Sequence, residues 1–231
     1  MLASTLSLSC SKDDSSPEPQ IGYFVKKITV SKAGEEYMKI DFRYDNNNSI
    51  IEQVVDTDTI KYAYNGRGQL TGYRFNDEDS YRFEYTGNII TKILEHDSQT
   101  DEVEDEIPVT FSNGTYSING DTICKVGDRG QLLELPDDDI VFSYGEEAGV
   151  HRHLTLNPAR YFLPGGESMV YDLTLSNKEL LGWEQEGSEV SMENQRNEQG
   201  LITTIRVTTL YDKEFQWDIE YEERELVRSL N

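Results

Sequence analysis

Cysteine, histidine, proline and positive charge are all scarce in this chain. Its 231 residues include two cysteines, three histidines and six prolines, and 21 Lys and Arg stand against 44 Asp and Glu. The resulting formal charge of −23 repels phosphate backbones, so nucleic acid is excluded as a partner. No apolar run approaches the roughly 20 residues that a membrane-spanning helix requires.

Aromatic residues, in contrast, are plentiful. The 14 Tyr and 8 Phe supply enough bulk to build a hydrophobic core. The length fits one large all-β domain or two smaller domains.

The first ten residues have the character of an export signal. Met1 to Ser9 are mostly small or apolar, and Ser9 precedes Cys10. A small residue before a cysteine is what signal peptidase requires when that cysteine is to carry lipid. The apolar part is shorter than the roughly 7–15 residues of a signal core, so we expect the true start to lie upstream. The alternative is an ordinary disordered tail that happens to contain a cysteine.

A polar tether follows Cys10. Residues 11–19 are acidic and contain two prolines, a composition that cannot bury enough surface to fold. The stretch Cys10-Ser11-Lys12-Asp13-Asp14 resembles the start of mature lipoproteins in Bacteroidetes-type bacteria. The resemblance implies lipid on Cys10 and an outer-membrane lipoprotein at the cell surface or the periplasmic face. We therefore divide the chain into a signal remnant (1–9), a tether (10–20) and one all-β domain (21–231), with a subdivision near 145–170 left open.

From Ile21 onward, hydrophobic residues alternate with polar ones. Phe215, Trp217, Ile219 and Tyr221 fall on one face of a strand and the polar residues between them on the other. Asn-Gly pairs, such as Asn65-Gly66, separate such runs and are strong hairpin signals. The pattern predicts antiparallel strands with one packed and one solvated face. Only residues 176–189 are expected to hold a short helical turn.

An aromatic-x-Tyr unit recurs about every 20 residues. Its leading aromatics are Phe42, Tyr62 and Phe83, and each unit is followed by a polar turn and then an aliphatic residue. Each unit reads as a hairpin that cannot bury its aromatic face alone, so neighbouring units must pair side by side. We predict an all-β fold with little helix: an antiparallel meander of repeated hairpins forming a large twisted or curled sheet, either an open half-barrel or sandwich-like.

This unit resembles a known repeat. The pattern Tyr62-x-Tyr64-Asn65-x-x-Gly68-x-Leu70 is similar to the tyrosine-aspartate (YD, or Rhs-type) repeat, and residues 197–202 echo its second half. Similar β-repeat lipoproteins of unknown function occur in Bacteroidetes-type bacteria. The resemblance implies an architecture and no reaction.

Few residues suggest metal or nucleophilic chemistry. His151 and His153 would share one face of a strand, a spacing that suits a metal, or form a solvated edge pair; His96 stands apart. The acidic runs 101–106 and 136–139 could attract Ca²⁺ or be solvated loops. Cys124 lies in an alternating run and is interpreted as a small buried residue rather than a nucleophile. We predict no metal and no cofactor.

The binding candidates are aromatic. Tyr23, Tyr73, Tyr161 and Tyr171 are the tyrosines to inspect for exposure, with the core as the default location of the others. The irregular segment 157–166 is either a binding loop or a corner packed over one end of the sheet.

Two functions of different kinds remain. The first is a non-enzymatic, membrane-anchored lipoprotein that presents a sheet surface to a glycan or protein partner. The second is a carbohydrate-active hydrolase with paired carboxylates. A deep pocket that holds two carboxylates, one with a raised pKa, would support it. A lipid or lipoprotein carrier would instead require an apolar cavity in a half-barrel.

Overall fold

The chain folds as a closed antiparallel β-barrel. The computed structural model describes residues 20–76, 79–97, 99–127, 130–154, 158–162, 176–209 and 214–226. Within these ranges, sixteen strands pair in chain order, and the last strand pairs with the first. They are β1 (Ile21–Lys32), β2 (Glu35–Tyr44), β3 (Ile50–Val55), β4 (Asp58–Tyr64), β5 (Leu70–Phe75), β6 (Asp79–Thr86), β7 (Ile89–Asp97), β8 (Val103–Ser112), β9 (Thr115–Ile118), β10 (Asp121–Val126), β11 (Leu132–Leu135), β12 (Ile140–Ala148), β13 (Lys178–Gln185), β14 (Ser188–Arg196), β15 (Ile202–Thr208) and β16 (Glu214–Glu225).

Helix plays almost no part in the described ranges. They contain two short 3₁₀ turns, Pro136–Asp138 and Pro158–Phe162, and no α-helix. None of their helices is long and apolar enough to cross a membrane.

Alternation along each strand separates an apolar interior from a charged exterior. On β2, Ile40 and Phe42 are buried, while Asp41 and Arg43 between and beside them are exposed. The buried side chains of nearly all strands merge into one hydrophobic cluster. A membrane-spanning barrel has the inverse pattern, with an apolar outer face and a polar interior. The outer face of this barrel is therefore suited to water.

Closure depends on the pairing of the first and last strands. β1 and β16 are both 12 residues long and pair from Ile21↔Glu225 to Lys32↔Phe215. The predicted open sheet, whether half-barrel or sandwich-like, was therefore wrong. Alternation and turn residues specify each hairpin with its neighbour, but they do not determine whether the two outermost strands meet. Closure removes both sheet edges, which would otherwise leave unpaired backbone groups.

The barrel has two ends that differ in content. The terminal end, as we name it, holds Ile21, Glu225 and the turns that follow even-numbered strands. The distal end holds the turns that follow odd-numbered strands, such as Ala33–Gly34. The long connection from β12 to β13 belongs to the terminal end, and the strands on both sides of it lie in the same barrel.

The predicted helical turn at 176–189 is replaced by strands β13 and β14. Leu180 and Trp183 both point inward, a spacing of three that imitates helical periodicity. A register shift places Gly182 opposite Ser143 and Leu180 opposite Tyr144, so Leu181 is extra and exposed. Gly182 has a φ of 149°, and a Cβ there would collide with the carbonyl oxygen of Val190. The bulge, rather than a helix, produces the pattern.

Tyrosine hydroxyls fasten strand pairs near the terminal end. In each case the tyrosine of an even-numbered strand donates to a carbonyl of the preceding odd-numbered strand. The pairs are Tyr44 to Val25 (2.8 Å), Tyr64 to Ile50 (2.9 Å), Tyr85 to Leu70 (2.6 Å), Tyr144 to Leu132 (2.7 Å) and Tyr221 to Ile202 (2.8 Å). This bond accounts for the recurrence of tyrosine in the repeated unit.

Candidate functional site: a polar groove on the outer face

The barrel interior is filled partly by the connection between β12 and β13. We call residues 149–154 and 158–162 of this connection the inner segment. His151 packs edge-on against Phe42 of β2 at 5.3 Å between ring centroids, and Phe162 against Tyr116 of β9 at 5.4 Å. Because Phe42 and Tyr116 are buried on opposite parts of the sheet, the inner segment crosses the interior at the terminal end.

A buried arginine holds the inner segment in place. The Arg160 guanidinium lies 4.8 Å from the centroid of the Tyr62 ring, and its Nη2 donates to the Tyr64 hydroxyl at 3.1 Å. Tyr64 in turn donates to the Ile50 carbonyl, so the contact extends the row of tyrosine bonds. The cation is thus accommodated by aromatic faces and hydroxyl oxygens.

His151 is a buried neutral histidine. Its Nε2 has no hydrogen-bond partner among the residues that the structure describes. Burial lowers the pKa of His151 to about 3, with the nearby Arg160 charge adding to the shift. Gly149 permits the entry of the chain, because a Cβ there would collide with the Lys178 carbonyl. His151 is therefore part of the packing, and it stays uncharged over the physiological range.

The two histidines with the predicted metal spacing are separated. They lie in a turn, where His151 is buried and His153 is exposed against Phe24 at 5.6 Å between ring centroids. The described residues bring together no group of three or more His, Cys, Asp or Glu side chains that could hold a metal ion. Cys124 is fully buried, and burial raises the pKa of its thiol to about 12.

The four tyrosines chosen from the sequence do not meet in one place. Tyr23 is half-buried on β1, and Tyr73 is buried and stacked on Tyr81 at 4.9 Å. Tyr161 lies in the inner segment, where its hydroxyl donates to the Gly130 carbonyl and burial raises its pKa. Tyr171 and Cys10 lie outside the described residues, as do Asn157 and residues 163–166 of the irregular segment.

A polar groove of about 730 Å³ lies on the outer face at the distal end. It crosses β14, β15, β16 and β1, and the Ala33–Gly34 turn contributes to its lining. We call it the outer groove. Its polar side chains include Ser31, Glu193, Arg206, Thr208, Gln216 and Asp218.

Cross-strand pairing places these side chains in rows. Glu193 lies opposite Arg206, Arg206 opposite Gln216, and Gln216 opposite Ser31. In the next row, Asp218 lies opposite Thr204. All belong to the outward set of their strands, since Val207 and Trp217 between them are buried. The rows were not recognisable from the sequence, because their members come from both ends of the chain.

Hydrogen bonds preorganise one side of the outer groove. Gln216 Nε2 donates to both carboxylate oxygens of Asp218 at 3.0 Å, and Thr204 Oγ1 donates to Oδ1 of Asp218 at 3.2 Å. Arg206, in contrast, makes no hydrogen bond or ion pair with another described residue. The groove thus combines a fixed carboxylate with an exposed guanidinium, a group that carries five N–H donors.

Paired-carboxylate hydrolysis requires a general acid, and the pKa shifts of carboxyl groups in the described ranges bear on it. The shifted carboxyl groups there are Asp97, Asp101 and Glu220, and hydrogen bonds hold all three pKa values below their usual range. The donors are backbone amides for Asp97, Arg82 for Asp101 and Lys27 for Glu220. A general acid for glycoside cleavage needs the opposite shift.

These features define the class: a closed antiparallel β-barrel with a filled interior and a polar groove on its outer face. No family model matches the chain, and no curated protein matches it in sequence. Among solved structures, it is similar to a porin-like protein from Bacteroides vulgatus (13% identity, 86% of this chain and 99% of that chain, TM-score 0.45). A porin-like protein from Bacteroides uniformis is also similar (10% identity, 86% and 98%, TM-score 0.34).

The proposed kinship with YD (Rhs-type) repeat lipoproteins was wrong. Within the described residues, the strands close after one circuit into a sixteen-stranded barrel rather than continuing as a repeat array. The aromatic-x-Tyr unit led to the wrong family because it specifies only a hairpin with a tyrosine-to-carbonyl hydrogen bond. Such a unit serves any antiparallel sheet that must fasten neighbouring strands.

Proposed function

We propose that this protein is a non-enzymatic binding module of the bacterial outer membrane, tethered by lipid on Cys10. The observation that carries the proposal is the division between a packed apolar interior and a charged outer face that holds the outer groove. A packed interior leaves the outer surface as the place where a partner binds. A lipid carrier, which needs an apolar cavity, gains no support from this interior.

The tether and the outer groove lie toward opposite ends of the barrel. β1 begins with Ile21 at the terminal end. Nine residues lie between Cys10 and Gln20, and the ten steps from one to the other span at most about 36 Å when extended. Ser31, in the groove, lies about 33 Å further along β1. Lipid on Cys10 would therefore hold the terminal end toward the membrane and direct the outer groove away from it.

Membrane retention tests the tether. The protein is expressed in a Gram-negative host behind an intact lipoprotein signal, as wild type, Cys10→Ala and Cys124→Ala. We expect the wild type and Cys124→Ala to sediment with membranes and to incorporate labelled palmitate, whereas Cys10→Ala is released and unlabelled. Each acyl CH₂ buried in the membrane contributes about 0.8 kcal/mol, so loss of the lipid removes the anchor. Retention of Cys10→Ala in the membrane fraction would contradict the proposal.

A further inference from the structure

We propose that the outer groove binds an uncharged oligosaccharide. The inference rests on the proposed function in taking the outer face as the binding face. The charges and polarity of the groove argue against charged and apolar ligands, and its hydrogen-bonding groups suit a ligand rich in hydroxyls.

The charges of the outer groove disfavour anions, and its described carboxylates form no group of three that could hold a metal ion. Glu193, Glu214 and Asp218 give it an excess of negative charge, which repels anionic ligands, as does the net charge of −23 on the whole chain. Arg206 lies in the middle, between Glu193 and Gln216 on neighbouring strands, and opposes a metal ion or a polyamine. A neutral polar ligand avoids both penalties.

The lining is also unlike a protein-binding surface. The cores of protein interfaces are enriched in aromatic residues and Met and depleted in Asp, Glu and Ser. Here the outward positions are Glu193, Arg206, Thr208, Gln216, Asp218 and Ser31, of which only Arg206 is of a type enriched in such cores. The single aromatic, Phe215, is half-buried. A protein partner would find no apolar anchor at the centre of the groove.

Hydroxyl-rich ligands match the available donors and acceptors. Each sugar hydroxyl can both donate and accept a hydrogen bond. Two neighbouring hydroxyls can therefore donate to one carboxylate of the protein, or accept from the paired N–H groups of a guanidinium. Arg206 has no partner among the described residues, and Asp218 is held by Gln216 and Thr204 in a fixed orientation. Because these residues lie on paired strands, little ordering accompanies binding.

The size and course of the outer groove suit a segment of a chain. Its volume of about 730 Å³ is within the range of roughly 300–1,000 Å³ for small-molecule sites. It crosses four strands on an open surface, so a longer polymer can enter and leave at the sides.

Glycan binding is tested on the full chain carrying Cys10→Ser. The probes are an array of neutral α- and β-linked glucans, mannans, galactans and xylans, with polygalacturonate as the anionic and polylysine as the cationic comparison. We expect at least one neutral glycan to bind. Arg206→Ala and Asp218→Asn should each weaken that binding at least about tenfold, the effect of losing a hydrogen bond to a charged group.

A matched control separates the outer groove from the general surface. Arg43→Ala removes an exposed arginine of β2 that pairs with Glu52 near the terminal end, and it should leave glycan binding unchanged. Circular dichroism and the unfolding midpoint verify that each variant folds, and Glu193→Gln replaces any variant that does not. Binding of no neutral glycan, preference for polygalacturonate, or unchanged binding by Arg206→Ala would each overturn the inference. Polylysine binding counts against it only if Asp218→Asn weakens that binding, because the net charge of −23 attracts polycations to the whole surface. Membrane retention is scored separately, so a tethered protein without glycan binding defeats only this inference.

Discussion

At the scale of single residues, the structure gives the tyrosines a bonding role. Tyr221 and Tyr144 are half-buried, and each donates its hydroxyl to a carbonyl at the start of the preceding strand. Burial raises the pKa of both phenols, so they are protonated donors at neutral pH. The hydroxyl, rather than the ring alone, explains why tyrosine and not phenylalanine occupies these positions.

Removal of one hydroxyl should therefore destabilise the barrel measurably. Tyr221→Phe keeps the ring and deletes the bond to Ile202, and we expect the free energy of unfolding to fall by about 1 kcal/mol. Tyr37→Phe is the matched control, because Tyr37 is 54% exposed. Urea unfolding followed by tryptophan fluorescence measures both. Equal stability of Tyr221→Phe and wild type would show that the bond is unimportant.

His151 makes stability depend on pH in a defined direction. Its folded pKa of about 3 lies below the ordinary value of about 6.5, so the unfolded chain binds more protons between these two limits. The contribution of His151 to stability is therefore present above about pH 6.5 and declines as the pH falls, by up to about 1.4 kcal/mol per pH unit.

A variant without this titration isolates the effect. His151→Gln should lose less stability than wild type between pH 7 and pH 5, each measured by urea unfolding. His153→Gln is the comparison, because burial also lowers the pKa of His153 but this side chain is only partly covered. The result expected is a smaller change in pH dependence for His153→Gln. Parallel pH profiles of wild type and His151→Gln would contradict the buried neutral state.

At the scale of elements, local chemistry was readable and long-range arrangement was not. Asn65 illustrates the readable part: its Oδ1 accepts from the amides of Arg67 and Gln69, and Gly68 has a φ of 76°. Asn197 makes the same bonds to Gln199 and Leu201. Such turns depend on residues a few positions apart, so the Asn-x-x-Gly pattern predicts them.

The inner segment and the outer groove could not be predicted, because both depend on contacts distant in sequence. Arg160 meets Tyr62 and Tyr64 from almost a hundred residues away, and nothing in its neighbourhood indicates an aromatic environment. The outer groove joins Ser31 of the first strand to Gln216 of the last. The sequence does mark the segment 157–166 as a break in alternation, although not as a filling of the interior.

At the scale of the whole molecule, closure between β1 and β16 determines everything else. It makes one side of the sheet an enclosed interior and the other a continuous surface, and it pairs the first and last strands along their whole length. With an open sheet, the outermost strands would be separated by the width of the intervening strands, each about 4.8 Å. The outer groove, which spans β14 to β1, would then not exist.

An engineered disulfide tests this closure directly. Lys27 and Glu220 are paired across β1 and β16, and their side chains form an exposed ion pair at 2.6 Å. Directly opposed residues of antiparallel strands have Cα atoms about 4.5–5.5 Å apart, which fits disulfide geometry. The double variant Lys27→Cys/Glu220→Cys should therefore oxidise readily, shift on a non-reducing gel and resist urea unfolding by about 4–5 kcal/mol more than its reduced form. Lys27→Cys/Glu104→Cys should stay reduced under the same conditions, because its second position lies on β8, seven strands away from β1. It also loses the exposed ion pair, which alone costs little. Failure of the first pair to cross-link within the monomer would mean that β1 and β16 are separate edges.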